Sequence, residues 1–127
     1  MDAQQEYFIA LKLGLEVKGH KVYDSILPPD GTLYPFIYLG EFQQNDTEHK
    51  NAVTGTVLPM VHVFHNDIFQ RGTVSAMLLD IKTVMRGIER TSHYSWLIRN
   101  VTGRIFSDNT TKTPLLHGVA EAECLFS

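Results

Sequence analysis

The stretch Thr73-Val74-Ser75-Ala76-Met77-Leu78-Leu79-Asp80-Ile81-Lys82-Thr83-Val84-Met85-Arg86-Gly87-Ile88-Glu89-Arg90 decides how this chain folds. Val74, Met77, Leu78, Ile81, Val84, Met85 and Ile88 recur at spacings of three and four, which lines them along one stripe of a 3.6-residue helix. Ser75, Lys82, Thr83, Arg86 and Glu89 occupy the other side. One face must therefore be buried, and the partner surface stands just upstream. Tyr34 to Phe42 and Thr56 to Asn66 are rich in the aromatic and β-branched types that suit a pleated sheet. Gly72 breaks the chain before Thr73, which reads as the N-cap, and Arg86 and Arg90 sit at the negative C-terminal end. Leu79 falls among the polar positions and is a candidate contact residue.

Working outward, Asp2 and Gln5 have capping-box spacing for a first helix, with Phe8, Leu11 and Leu15 on one stripe and Gly14 and Gly19 ending it. A short strand is expected around Val22 and Tyr23. Pro28-Pro29-Asp30-Gly31 is turn chemistry. Pro35 belongs at the start of its strand, because proline cannot donate to a ladder. Gln43 to Asn51 is polar throughout and reads as a loop joining two strands into a hairpin. Such a loop exceeds the usual two to five residues, so it asks for a function. Beyond the main helix, Tyr94 to Thr102 and Arg104 to Ser107 read as strands, and Asp108 to Thr113 as a second polar loop before Pro114. His117 to Phe126 sets Gly118, Ala120, Ala122, Cys124 and Phe126 against Glu121 and Glu123, the period of a half-buried strand. This order of elements predicts an α+β fold over residues 1–127, a single layered domain with an antiparallel or mixed sheet packed against two helices.

The 127 residues suffice for one hydrophobic core, and 43% hydrophobic with 20% charged residues is the composition of an ordinary globular chain. Eleven basic against fourteen acidic side chains give −3, which offers no broad attraction to a phosphate backbone. Cys124 is the only cysteine, so an internal disulfide and a Cys-based zinc pattern are both excluded. Met1 to Leu15 mixes charges among its apolar residues, unlike a signal peptide. No segment approaches the roughly 20 apolar residues that cross a bilayer. The Asn-x-Thr triplets at Asn45, Asn100 and Asn109 are then chance matches.

Catalytic chemistry finds little footing. His62-x-x-His65 is the nearest approach to a metal motif, but residues three apart on a strand point to opposite faces. His62, flanked by Met60 and Phe64, is expected half-buried, and His65 at the strand's wet end. Cys124 lies on an apolar strand face, where a thiol behaves as a small hydrophobe. Asp67 and Asp80 are expected to be solvated charges rather than an acid–base pair. The nine glycines are scattered, with neither a GxxxxGK nor a GxGxxG loop.

An N-terminal helix, the strand Tyr34-Pro35-Phe36-Ile37-Tyr38-Leu39-Gly40, a polar loop, a strand from Val57 to His65, Gly72 and the helix Val74 to Ile88 follow in order. The chain then closes on His117-Gly118-Val119-Ala120-Glu121-Ala122-Glu123-Cys124-Leu125-Phe126. Over nearly its whole length the chain resembles the tail completion, or head-to-tail joining, proteins of long-tailed bacteriophages. The resemblance implies a non-enzymatic virion part without a cofactor, assembled in the host cytoplasm. It implies a ring, of six copies, at the head-proximal end of the tail tube, docked on the connector of the DNA-filled head. Partners would be copies of itself, the tail-tube protein and the connector or stopper protein, with DNA only passing through the lumen and no membrane involved.

In such a ring each subunit offers two different patches to its neighbours. The candidate contact residues are Gln43, Gln44, Asn45, Asp46, Thr47, Glu48, His49 and Lys50 in the first polar loop, Leu79 on the helix, and Asp108, Asn109 and Thr110 in the second loop. A tail terminator or head-side stopper of the same junction shares this logic. A small cytoplasmic enzyme or ligand-binding domain, with a pocket built on His62, Tyr38 or Trp96, is the alternative from a different class.

Overall fold

The stripe on the main helix finds its partner in a sheet whose inner face is as apolar as the helix itself. The computed structural model describes residues 1–24, 28, 31–49, 53–110 and 112–127. In chain order these form α1 (Ala3–Val17), β1 (Val22–Asp24), β2 (Phe36–Glu48), β3 (Val53–His65), α2 (Arg71–Gly87), β4 (Trp96–Asp108) and β5 (Leu115–Phe126). The strands make one sheet in the order β1-β2-β3-β5-β4, with β1 parallel to β2 and every other pair antiparallel. The fold is α+β, with a mixed sheet and both helices on one of its faces.

Alternation along the strands puts Ile37, Leu39, Val57, Val61, Val63, Ala120 and Cys124 under the helices, all buried. Val74, Leu78, Ile81 and Met85 of α2 meet them, as do Tyr7, Leu11 and Leu15 of α1. Phe8 is only partly buried and packs edge-on against Phe42, with ring centroids 5.5 Å apart. Gly118 marks a close approach of α2 to the sheet: a Cβ there would stand 2.8 Å from Val74 Cγ1.

Several boundaries differ from the sequence expectation. Helix α2 starts at Arg71, with Gln70 in the N-cap position, because the turn closed by the Gln70 amide on the Asp67 carbonyl (3.1 Å) leads straight into it. Thr73 is inside the first turn, and its hydroxyl donates to Gln70 Oε1 at 2.9 Å. The helix stops at Gly87, where Ile88 turns extended, and Arg90 forms an isolated bridge with Ser95 rather than a helical last turn. Asp2 does stand at the N-cap of α1 but makes no side-chain cap, its carboxylate accepting instead from Gln44 Nε2 at 3.1 Å.

Gly14 does not end α1. It lies within the helix, where a Cβ would fall 2.6 Å from Val84 Cγ1, so its absent side chain allows α1 and α2 to touch. Gly19, at φ 92, makes the turn that leaves the helix. The two expected strands after α2 are one strand, β4, with an irregularity between Arg99 and Thr102 where Asn100 adopts φ 54. Asparagine tolerates that left-handed conformation better than most residues, and the extra residue re-aims the strand without ending it. The Tyr34–Pro35 peptide is cis just before β2 begins, and Gly31 has φ 87, while Pro29 and Asp30 of the expected turn lie outside the described residues.

Candidate functional site

The polar run Gln43 to Asn51 is for the most part strand. Gln43 through Glu48 pair residue by residue with Leu58 through Val53, so only His49 to Ala52 separate the two strands. Strand was hidden here because both faces of distal β2 are wet: side chains from Asn45 to His49 are exposed, and no apolar alternation survives to signal it. Polar pairing replaces the apolar kind. Gln43 Nε2 donates to Asn45 Oδ1 at 3.1 Å on one face, and Gln44 Nε2 donates to Asp46 Oδ1 at 2.6 Å on the other. The Gln4 side-chain amide donates to the Phe42 carbonyl, and the Gln4 backbone amide to Gln44 Oε1 at 2.9 Å. His49 meets the Thr54 hydroxyl at 3.0 Å, and Lys50 lies outside the described residues.

Leu79 projects from α2 with 60% of its surface exposed. It borders a groove between α2 and the open side of β4, lined also by Arg71, Ala76, Lys82, Gly103 and Ile105. Asp108 is the last residue of β4, and its carboxylate accepts from the Thr110 amide (3.0 Å) and hydroxyl (2.6 Å), which hold its pKa below the usual carboxylate value. Asn109 and Thr110 follow in the short connection to β5. These candidates do not converge. Asp46 is level with Gly55 and the end of β5, Leu79 flanks the β4 side, and Asp108 sits opposite Leu115 at the other end of the sheet.

The histidines are each tied to a neighbour in the chain. His20 Nε2 is 2.8 Å from Asp80 Oδ2, and His93 Nδ1 is 2.6 Å from Glu6 Oε2, while His65 Nδ1 accepts from the Asp67 amide at 3.2 Å. Asp80 is thus paired, and Asp67 holds the turn by accepting from the Phe69 amide at 2.9 Å, which corrects the expectation of two merely solvated charges. Burial alone would raise the pKa of Glu6, but hydrogen bonds from Thr91 and from the backbone and ring of His93 bring it down to about 2.

The pair that sequence reasoning missed is His62 with His117, Nδ1 to Nε2 at 2.7 Å on the sheet face away from the helices. Fifty-five residues separate them, and only the β3–β5 register brings them together. Phe64 stacks on His117 with centroids 4.4 Å apart, Phe106 lies 4.6 Å from His117, and Tyr38 lies 6.0 Å from His62. Gly40 leaves room for the His62 ring, since a Cβ there would be 2.7 Å from Nε2. Among the described residues, no three His, Cys, Asp or Glu side chains gather where one ion could be held.

Cys124 is fully buried, and burial raises its thiol to about 11. Trp96 packs on the helix side against Tyr7, centroids 4.8 Å apart, whereas Tyr38 and His62 share the other face, so the three do not line one pocket. No helix among the described residues is long and apolar enough to cross a membrane.

No family model matches the chain, and no curated protein matches it. Solved structures share its fold. One is a chain from the virion of a native gene transfer agent particle, similar at a TM-score of 0.62 and 15% identity over 97% of this chain and 94% of its own. Another, a protein that bears only a catalogue designation, is similar at a TM-score of 0.59 and 10% identity, over 98% and 96%. At these identities the likeness is one of fold.

Proposed function

We propose that this chain is a structural virion protein, one tail-completion-like domain over residues 1–127, which finishes a phage tail at its head-proximal end and joins it to the connector of the DNA-filled head. It does so without catalysis, as a ring of copies, six in the resembling family, through which DNA passes. The observation that carries this reading is the near end-to-end match of its fold with a chain from a virion of the gene transfer agent class. Two features support it: the candidate residues are spread over distinct surfaces instead of facing one cavity, and the histidines and Cys124 are engaged in packing and internal hydrogen bonds. A protein that works by shape needs several separate contact surfaces, and among the described residues β1 and β4 are the outer strands of this sheet, with no strand beyond them.

The test is genetic. A phage carrying a nonsense codon in this gene is expected to leave packed heads and full-length tails side by side and unjoined in the lysate. Empty heads would place the protein earlier, and tails of uncontrolled length would make it a terminator.

A further inference from the structure

The groove beside β4 and the distal part of β2 carry opposite charge. Strand β4 has β5 on one side, and among the described residues no strand on the other. Ser95 and Ser127 exchange both backbone hydrogen bonds, at 2.9 and 3.1 Å. The alternation of an antiparallel ladder then turns the backbone groups of Trp96 and Ile98 away from β5 and, past the bulge, those of Gly103, Ile105 and Ser107. The Trp96 amide is used, donating to the Glu89 carbonyl at 2.8 Å. The later ones run beside the α2 groove, whose charged lining is Arg71, Lys82 and Arg104, with no acidic residue. Arg104 already stands 3.9 Å from Glu121, which leaves Arg71 and Lys82 as the groove's available cations among these three.

At the other side β1 pairs with β2 as far as Leu39, and among the described residues Phe42 to Glu48 has β3 alone for a neighbouring strand. The Phe42 carbonyl, taken by Gln4, points to the open side, and the same alternation aims the backbone groups of Gln44, Asp46 and Glu48 that way. The side chains of Gln44 and Asp46, bonded to each other and to Asp2, lie on the helix side of the sheet. From Gln43 to His49 the strand carries Asp46 and Glu48 and no lysine or arginine.

We propose that distal β2 of one copy docks in the α2–β4 groove of the next, extending its sheet and setting Glu48 against Lys82 and Asp46 toward Arg71. This rests on the assembly reading above and names the surfaces it uses. Main-chain bonds supply the attachment and the charges the register, as in other strand additions. Head-to-tail repetition of this sheet sets β4 antiparallel to the incoming β2. Leu79 is covered at the same time. Because Asp46 is level with the β4 start at Trp96, setting Glu48 at Gly103 and Asp46 at Ile105 offsets neighbours along the strands by roughly 25 Å, so the strands incline to the ring axis. The contact is heterologous, and repetition closes a ring when the rotation per copy divides a full turn.

The test mixes one chain carrying Leu79→Cys with another carrying Asp46→Cys under conditions where native mass spectrometry detects oligomers, free or on tail tubes. Disulfide-linked pairs are expected in the mixture and not in either chain alone. Lys82→Glu should weaken assembly about tenfold through like-charge repulsion, and adding Glu48→Lys to the same chain should restore it. Circular dichroism melts of the variants check that each is folded. Oligomers that neither cross-link nor respond to Lys82→Glu would overturn this contact while leaving the assembly reading intact. A folded chain that remains monomeric both free and with tails would overturn both.

Discussion

The His62 and His117 rings share one hydrogen bond inside an aromatic cluster, and that surrounding controls when they take up protons. Burial is the main reason both lie below the ordinary 6.5, His117 at about 4; Arg104 also disfavours their charge, while Glu121, Glu41 and Asp108 act in the opposite sense. The unfolded chain therefore binds protons before the folded one does. This contribution to stability is complete above pH 6.5 and is lost as pH falls toward 4. Thermal melts should show that decline, and His117→Phe, which keeps a ring against Phe64 and Phe106, should flatten it. A decline of unchanged slope in the variant would contradict the assignment. Glu6 acts at lower pH: with a folded pKa near 2 it stabilises above its ordinary 4.5, and the benefit disappears as pH falls through 2. Glu6→Gln should lower the melting temperature at pH 7 and reduce the acid-side slope between those values. Pairings of this kind were illegible in the sequence. His62 was visible as a half-buried strand residue, but its partner depends on a register between strands far apart in the chain.

Among the elements, α2 was the most legible, because its apolar stripe is dictated by a period that burial against a sheet requires. Its ends were less so, since Gly72 and Thr73 resemble a start signal that the tighter Asp67–Gln70 turn overrides. Distal β2 was unreadable as strand for a related reason: an edge strand wet on both faces keeps its backbone pairing but loses the alternation that reports it. Gly14 looked like a stop and is instead a contact point between helices, a role that appears only when both helices are placed. Gly118 has the same function beneath α2. Gly118→Val should destabilise the chain by about 1–3 kcal/mol, because Val74 and Leu78 have no room to yield without lifting α2 off the sheet. Ile81→Ala, at a position with no exposed surface, should cost about 2–5 kcal/mol by opening a cavity between α2 and the strands. Denaturant melts measure both. If Gly118→Val were neutral, α2 would not be held as close to β5 as described.

At the scale of the whole molecule, the layered α+β arrangement was legible because α2, β3 and β5 declared their periods, and the mixed character of the sheet comes from the three residues of β1 lying parallel to β2. The proposed function rests in the sequence on a pattern alone: no convergent chemistry, polar segments longer than a plain connection needs, and an order of elements that resembles that of phage joining proteins. The structure turns the longest polar segment into strand, which is what the proposed strand addition between copies requires. The most direct measurement is complementation in vitro, in which packed heads and complete tails from a lysate lacking this protein are mixed with the purified chain and viewed by electron microscopy. The account predicts a ring at the head-proximal end of each tail and the appearance of joined particles in proportion to added protein. Heads and tails that join equally well without it, or a chain that binds neither, would contradict it.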